Sequence, residues 1–175
     1  MNQSLNNNTT ATLPQGKIQG VLRRNDINPR YFTDDSGQAV YLTGSHTWNN
    51  LIDMGHPPVE FDCPRYMDWL VAQGHNFVRM WAWDMLTTWN PKDVVVHFPW
   101  KRTGPGLAVD GKPRFDLSCY DEEYFSRLAE RIALAQDKGI YISIMFFDGW
   151  GSLRPTKPSS IPMCLQVATT STISM

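Results

Sequence analysis

GHNFVRMWAW, residues 74–83, packs a glycine stop, an apolar run and a buried-type cation into one short stretch. Gly74 suits the position just past a helix, where a left-handed backbone is needed. Phe77, Val78 and Met80 suit a buried strand, and aromatics mass toward its C-terminal end. Arg79 interrupts the run with a permanent cation, which is almost never fully buried without a partner. Beside Trp81 and Trp83 it reads as the floor of a site. The alternative is an arginine that extends to solvent from an edge strand.

Similar units recur on both sides of this strand. Upstream, Asp62 is a good N-cap, Pro64 falls in the first turn, and Phe61 can staple against Tyr66. Tyr66, Trp69 and Leu70 form the expected apolar stripe of a helix that stops at Gly74. Before it, RYFTD (30–34) and QAVYLT (38–43) flank Asp35-Ser36-Gly37, a hairpin signal. Downstream, a second helix is predicted from Asp121, with Phe125, Leu128, Ile132 and Ala135 at helical spacing and Lys138-Gly139 at its close. IYISIMFF (140–147) follows as a continuous apolar strand.

Alternating strands and helices with near-continuous apolar strands predict βαβ units and a parallel sheet buried on both faces. Each strand ends in polar and aromatic groups: GSHTWNN (44–50), WAWD (81–84) and DGW (148–150). In α/β folds, sites are built at such C-terminal ends. No glycine-rich phosphate loop follows a strand, and Gly104-Pro-Gly106 lies in no strand-to-helix turn, so a dinucleotide fold is disfavoured. A (β/α)8 barrel fits better, although that fold typically takes about 250 residues. The fold expected is therefore α/β, an incomplete TIM-type (β/α)8 barrel of about its first three strands, preceded by a β-hairpin.

Residues 85–117 form a connection long enough to be functional or disordered, and its Trp89, Trp100 and Arg102 favour an ordered loop walling a pocket. The polar residues 1–16 are expected to be disordered. The barrel part is expected to span 17–151. Residues 152–175, rich in Ser, Thr and Pro, break with the preceding pattern, as a shifted reading frame or a natural flexible tail would.

The 175 residues carry a formal charge of −1, which gives no support for nucleic acid or an anionic membrane surface as partner. No apolar run is long enough to span a bilayer, and the N-terminus shows no secretory signal, so a cytoplasmic location stands by default. Cys63, Cys119 and Cys164 match neither a metal spacing nor a disulfide framework and are expected to be incidental or buried thiols. No cofactor or metal is expected.

NPRYFTD (28–34) with YLTGSHTWNN (41–50) resembles the opening of the apiosidase-like, cellulase-like (β/α)8 glycoside hydrolases. GHNFVR (74–79) is similar to the second-strand motif of the wider retaining-glycosidase superfamily, and FDL (115–117), Tyr124-Phe125 and residues 139–150 continue the likeness. The resemblance covers residues 17–151 and implies a carbohydrate substrate, cleaved at an O-glycosidic bond by two carboxylates. In such enzymes those carboxylates come from the fourth and seventh strands, and the second-strand arginine, here Arg79, supports the nucleophile. Glu60, Glu122, Glu123 and Glu130 are the chain's four glutamates, and none stands at a predicted strand end. The acid and nucleophile are thus expected beyond the matched part, and the chain alone is not expected to hydrolyse glycosides. An open three-strand sheet would also leave a raw edge.

The expected substrate-binding residues are His46, Trp48, Asn49, Arg79, Trp81, Trp83, Asp84, Asp148 and Trp150. The tryptophans would stack on the apolar C–H faces of sugar rings, or else belong to the core. Asp84 and Asp148 are the carboxylates at strand ends; hydrogen bonding to hydroxyls or orienting Arg79 is preferred over catalysis. His46 is expected to touch substrate rather than bind metal. Asn49 and Asn50 suit hydroxyls or loop capping equally. A non-catalytic carbohydrate-binding protein using the same tryptophan surface is the alternative reading.

Overall fold

The computed structural model describes residues 16–82, 90, 92–108 and 111–145. Near its start, β1 (Arg23–Arg24), β2 (Phe32–Thr33) and β3 (Ala39–Val40) form an antiparallel sheet in that order. The expected hairpin is present, with strands much shorter than the two β-rich runs. Its turn is organised by Asp34, which accepts from the Ser36 backbone N–H at 2.9 Å and from the Ser36 hydroxyl. Gly37 then takes the left-handed φ of +72° that closes the turn.

Asp34 also ties the hairpin to the rest of the molecule. Its carboxylate is 4% exposed and accepts from the Gln19 N–H at 3.0 Å and the Tyr141 hydroxyl at 2.9 Å. Burial alone would raise this carboxyl. The hydrogen bonds from Ser36, Gln19 and Tyr141 outweigh it and hold the group at about 2.

Both helices start where their caps predict. In α1 (Cys63–Ala72) the Asp62 side chain accepts from the Arg65 N–H at 3.0 Å, and the Phe61 and Tyr66 rings meet at 5.4 Å as the staple. Gly74, at φ +71°, ends it as expected. The buried face differs from the predicted stripe: Cys63, Met67 and Leu70 are inside, and Trp69 is 47% exposed. Spacing of four and three residues stacks 63, 67 and 70 on one face, and Trp69 lies about 100° to its side.

In α2 (Glu122–Asp137), Asp121 accepts from the Glu123 N–H at 3.1 Å. Here too the face is rotated by one residue. Tyr124, Leu128, Arg131 and Ala135 are buried, while the predicted Phe125 and Ile132 are only half-buried. Arg131 hid this stripe in the sequence, because a cation at an inward position looks like a surface residue.

Between Gly44 and α1 the chain adds a hairpin the sequence did not signal, β4 (Asp53–Gly55) with β5 (Pro58–Val59). After α1 comes the central strand β6 (Phe77–Trp81), and in the long connection β7 (Val94–Val96) pairs with β4. β8 (Gly104–Leu107) and β9 (Pro113–Arg114) form a further hairpin, and β10 (Tyr141–Met145) follows α2. The described part of the connection is therefore ordered, as its aromatic content predicted. Phe98 packs on Phe115 at 5.0 Å, Arg102 lies 4.7 Å above the Phe115 ring, and the Arg102 Nε donates to the Pro113 carbonyl.

β6 and β10 are parallel, with Tyr141 opposite Phe77 and Met145 opposite Trp81. On the other edge of β6, Gly44 pairs with Phe77, also in parallel. The parallel order is thus the segment ending at Gly44, then β6, then β10, with α1 and α2 between successive strands. One βαβ unit of the kind expected from the sequence, β6–α2–β10, is present; ahead of α1 the parallel contact is a single bridge at Gly44 rather than a strand. Gly44 is required by this approach: a Cβ there would lie 1.9 Å from the Phe77 carbonyl oxygen. Asn76 pins the same segment, accepting from the Thr43 N–H and donating to the Tyr41 carbonyl, both at 2.9 Å.

Val78 and Met80 point into the main core, with Leu51, Met67, Leu70, Tyr124, Leu128, Ala135 and Ile140. The other face of β6 carries Phe77, Arg79 and Trp81, half-buried to exposed. The sheet expected to be buried on both faces has its buried strand residues, Val78 and Met80, on one face of β6, and all of β10 is half-buried. The reason is that both helices lie on the Val78–Met80 side.

Candidate functional site

The half-exposed side of β6 and the segment after Gly44 bring three of the predicted residues together. The rings of Trp48 and Trp81 stand 4.4 Å apart at 46°, and His46 meets Trp48 edge-on at 5.8 Å. Trp48 is 41% exposed, so this pair offers an aromatic surface to solvent. The indole N–H of Trp81 is buried and has no acceptor among the described residues. Trp81 also packs against Ile52 and Val95, so it serves a small second core as well as the surface.

Arg79 alternates with Val78 and Met80 and is exposed on the same face as Trp81. Among the described residues no carboxylate lies within ion-pairing distance of it. Asn49 accepts a hydrogen bond from the Thr47 hydroxyl at 3.0 Å, which shapes the turn that presents Trp48. Trp83, Asp84, Asp148 and Trp150 lie outside the described residues, as do Trp89, Cys164 and both terminal segments.

Asn50 turns out to differ from its neighbour Asn49. It is fully buried; its Nδ2 donates to the Arg79 carbonyl at 2.5 Å and its Oδ1 accepts from the Trp81 N–H at 3.2 Å. Of the two sequence readings, hydroxyl binding and capping, only a backbone-capping role fits a side chain with no exposed surface.

Behind Asn50 lies a charged cluster that no sequence signal announced. Asp53, nearly buried, accepts from the Phe61 N–H at 2.8 Å, from His97 Nε2 at 3.0 Å, and from the Arg127 guanidinium. Arg127 Nε also reaches the Leu51 carbonyl at 3.2 Å, and Arg131 donates to the Asn50 carbonyl. Glu123 approaches the other ring nitrogen of His97 at 4.0 Å. His97 holds a left-handed φ of +70°, uncommon for a residue with a Cβ. A single histidine after three valines was the one visible hint, and it says nothing about an aspartate 44 residues away.

The cluster is equipped for holding segments together rather than for chemistry. Each Asp53 oxygen is already taken by donors. Burial pushes the nearby Cys63 thiol up, against the opposing pull of Arg131 and Arg127. Burial likewise raises the Tyr124 and Tyr66 hydroxyls. Cys63 and Cys119 are free thiols, and no group of three or more His, Cys, Asp or Glu among the described residues is placed to hold a metal ion. No helix among them is long and apolar enough to cross a membrane.

Comparison with known proteins adds a likeness of fold. No protein-family profile matches the chain, and no curated protein does. Among solved structures it is similar to a "putative glycoside hydrolase" from Bacteroides vulgatus ATCC 8482, with a TM-score of 0.53 and 18% sequence identity. The match covers 77% of this chain and 25% of the other, so the chain corresponds to about a quarter of that protein.

Proposed function

We propose that this chain forms the N-terminal part of a glycoside hydrolase-type (β/α)8 barrel and presents a carbohydrate-binding surface at the C-terminal end of β6. The observation that carries the reading is the pair of exposed Trp48 and half-buried Trp81 on the sheet face opposite the helices, the face that also carries Arg79. That face corresponds to the inside of a barrel, and strand C-termini are where barrel enzymes bind substrate. The consecutive parallel order of the segment ending at Gly44, β6 and β10 supports a barrel wall. The likeness to a much longer glycoside hydrolase-type protein supports it too. Within this reading the family is of the apiosidase-like, cellulase-like kind, and Arg79 supports a nucleophile supplied by a later strand.

Glycoside hydrolysis requires a protonated acid on the leaving oxygen and a second carboxylate across the bond. In our reading both come from outside this chain, which binds glycans without cleaving them. A purely carbohydrate-binding role is favoured by the same pair, because stacking on a sugar face needs no carboxylate. Titrating the 175-residue chain with cellopentaose and xylopentaose, followed by tryptophan emission, tests the proposal. Binding that is lost in Trp48→Ala is expected, with no release of nitrophenol from aryl glycosides. Absence of binding to any glycan refutes the carbohydrate reading. Turnover abolished by Asp84→Asn or Asp148→Asn would refute the assignment of the carboxylates elsewhere.

A further inference from the structure

We infer that Asn50 is the positioning residue of this site, its carboxamide taking the place of a strand neighbour that β6 lacks beyond Phe77. The inference rests on the proposed binding role of Trp81 and Arg79, and it names what orients them.

A strand in a parallel sheet is held on both edges by a regular ladder. β6 has such a ladder with β10 along its whole length, continuing to the Ala82 N–H on the Met145 carbonyl at 2.9 Å. On its other edge the pairing segment reaches Phe77 through Gly44 and then turns away toward His46 and Trp48. Without a substitute, the Arg79 carbonyl and the Trp81 N–H on that edge would lose their partners. Asn50 supplies both an acceptor and a donor from one planar amide, at the spacing of two strand residues. A carboxamide carries its donor and its acceptor on separate atoms of one planar group, as a peptide unit does, whereas a hydroxyl has a single oxygen for both.

Asn50 is itself fixed from behind. Arg131, 6% exposed, donates to its backbone carbonyl and lies 5.7 Å from the Phe61 ring. Arg127 holds the next carbonyl, of Leu51. The direction of Arg79 and Trp81 is thereby set by α2, through a residue that never meets the ligand. Asn50 also sits two residues after Trp48, so one amide controls the register between the two rings of the aromatic pair.

The test uses the exciton couplet that two indoles 4.4 Å apart produce in far-ultraviolet circular dichroism, identified by its loss in Trp48→Phe. Asn50→Leu keeps the branched outline and removes both hydrogen bonds; Asn50→Asp keeps the acceptor and removes the donor. Well below the melting temperature, Asn50→Leu is expected to lose at least half of the couplet, and cellopentaose affinity is expected to fall about tenfold. Asn50→Asp should show a smaller loss in the same direction, and it decides the matter if Asn50→Leu does not fold. A residue with only a stabilising role would lower the melting temperature and leave the couplet of the folded state intact, which would overturn the inference. Failure of both variants to fold would also overturn it, by making Asn50 a determinant of the fold. If the unaltered chain binds no glycan, the binding role fails, while the couplet still decides whether Asn50 sets the ring geometry.

Discussion

Replacing Asp53 with alanine removes the carboxylate that joins the start of α1, His97 and α2. The carboxylate accepts from the Phe61 N–H, from His97 and from Arg127, whose side chain is 17% exposed. After the change, Arg127 retains only the Leu51 carbonyl at 3.2 Å, and the Phe61 N–H at the start of α1 is left without an acceptor. Breaking a buried pair by deleting one partner costs about 3–5 kcal/mol, because the other charge stays buried and uncompensated. That is a large share of the 5–15 kcal/mol typical of a domain. Asp53→Asn keeps an acceptor for the Phe61 N–H and should cost roughly half as much, nearer the 1–3 kcal/mol of weakened hydrogen bonds. In Asp53→Leu with Arg127→Met both charges leave together, so the double variant should be more stable than the sum of the single losses by about 1–3 kcal/mol. Urea denaturation, with the slope compared between variants, measures each term. A loss below about 1 kcal/mol in Asp53→Ala, or strict additivity in the double variant, would refute the idea that this cluster clamps α2 to the 50–53 segment.

Three further outcomes follow from single contacts. Gly44→Ala places a Cβ 1.9 Å from the Phe77 carbonyl oxygen, so the segment ending at Gly44 must detach from β6; a loss of about 2 kcal/mol or more in chemical denaturation is expected. The Tyr124 hydroxyl is buried with no partner among the described residues, so Tyr124→Phe should leave stability unchanged or raise it by about 1 kcal/mol, read from the urea midpoint. Asp34 is held at about 2 in the folded chain, below the roughly 3.9 of an unfolded aspartate, so its contribution is complete above pH 4 and disappears as pH falls toward 2. Melting temperature followed through that window should fall less steeply in Asp34→Asn, which starts from a lower plateau.

The two helices, the central strand and the first hairpin of this protein were written in its sequence, whereas the hairpin of β4 and β5 was not. Asp62 and Asp121 announced the helix starts, Gly74 and Gly139 the stops, and the apolar run around Val78 the central strand, because caps, stops and strand patterns act over a few residues. The pairing of β6 with β10 also followed, since a helix between two apolar strands leaves little choice but a parallel crossover. His46, Trp48 and Trp81, all placed near strand ends by the sequence, do meet, and Trp81 serves a small core as well. What the tertiary structure alone decided lies in contacts across long separations. Arg131 looked like a surface cation and is buried on the carbonyl of Asn50, 81 residues away; Asp53 and His97 meet only because β4 pairs with β7. Asn50 and Asn49 are identical side chains one position apart, yet one shapes a surface turn and the other replaces a missing strand. Sequence pattern records the direction a residue tends to face, whereas the partner of a buried polar group depends on which distant backbone atoms the packed helices leave unpaired.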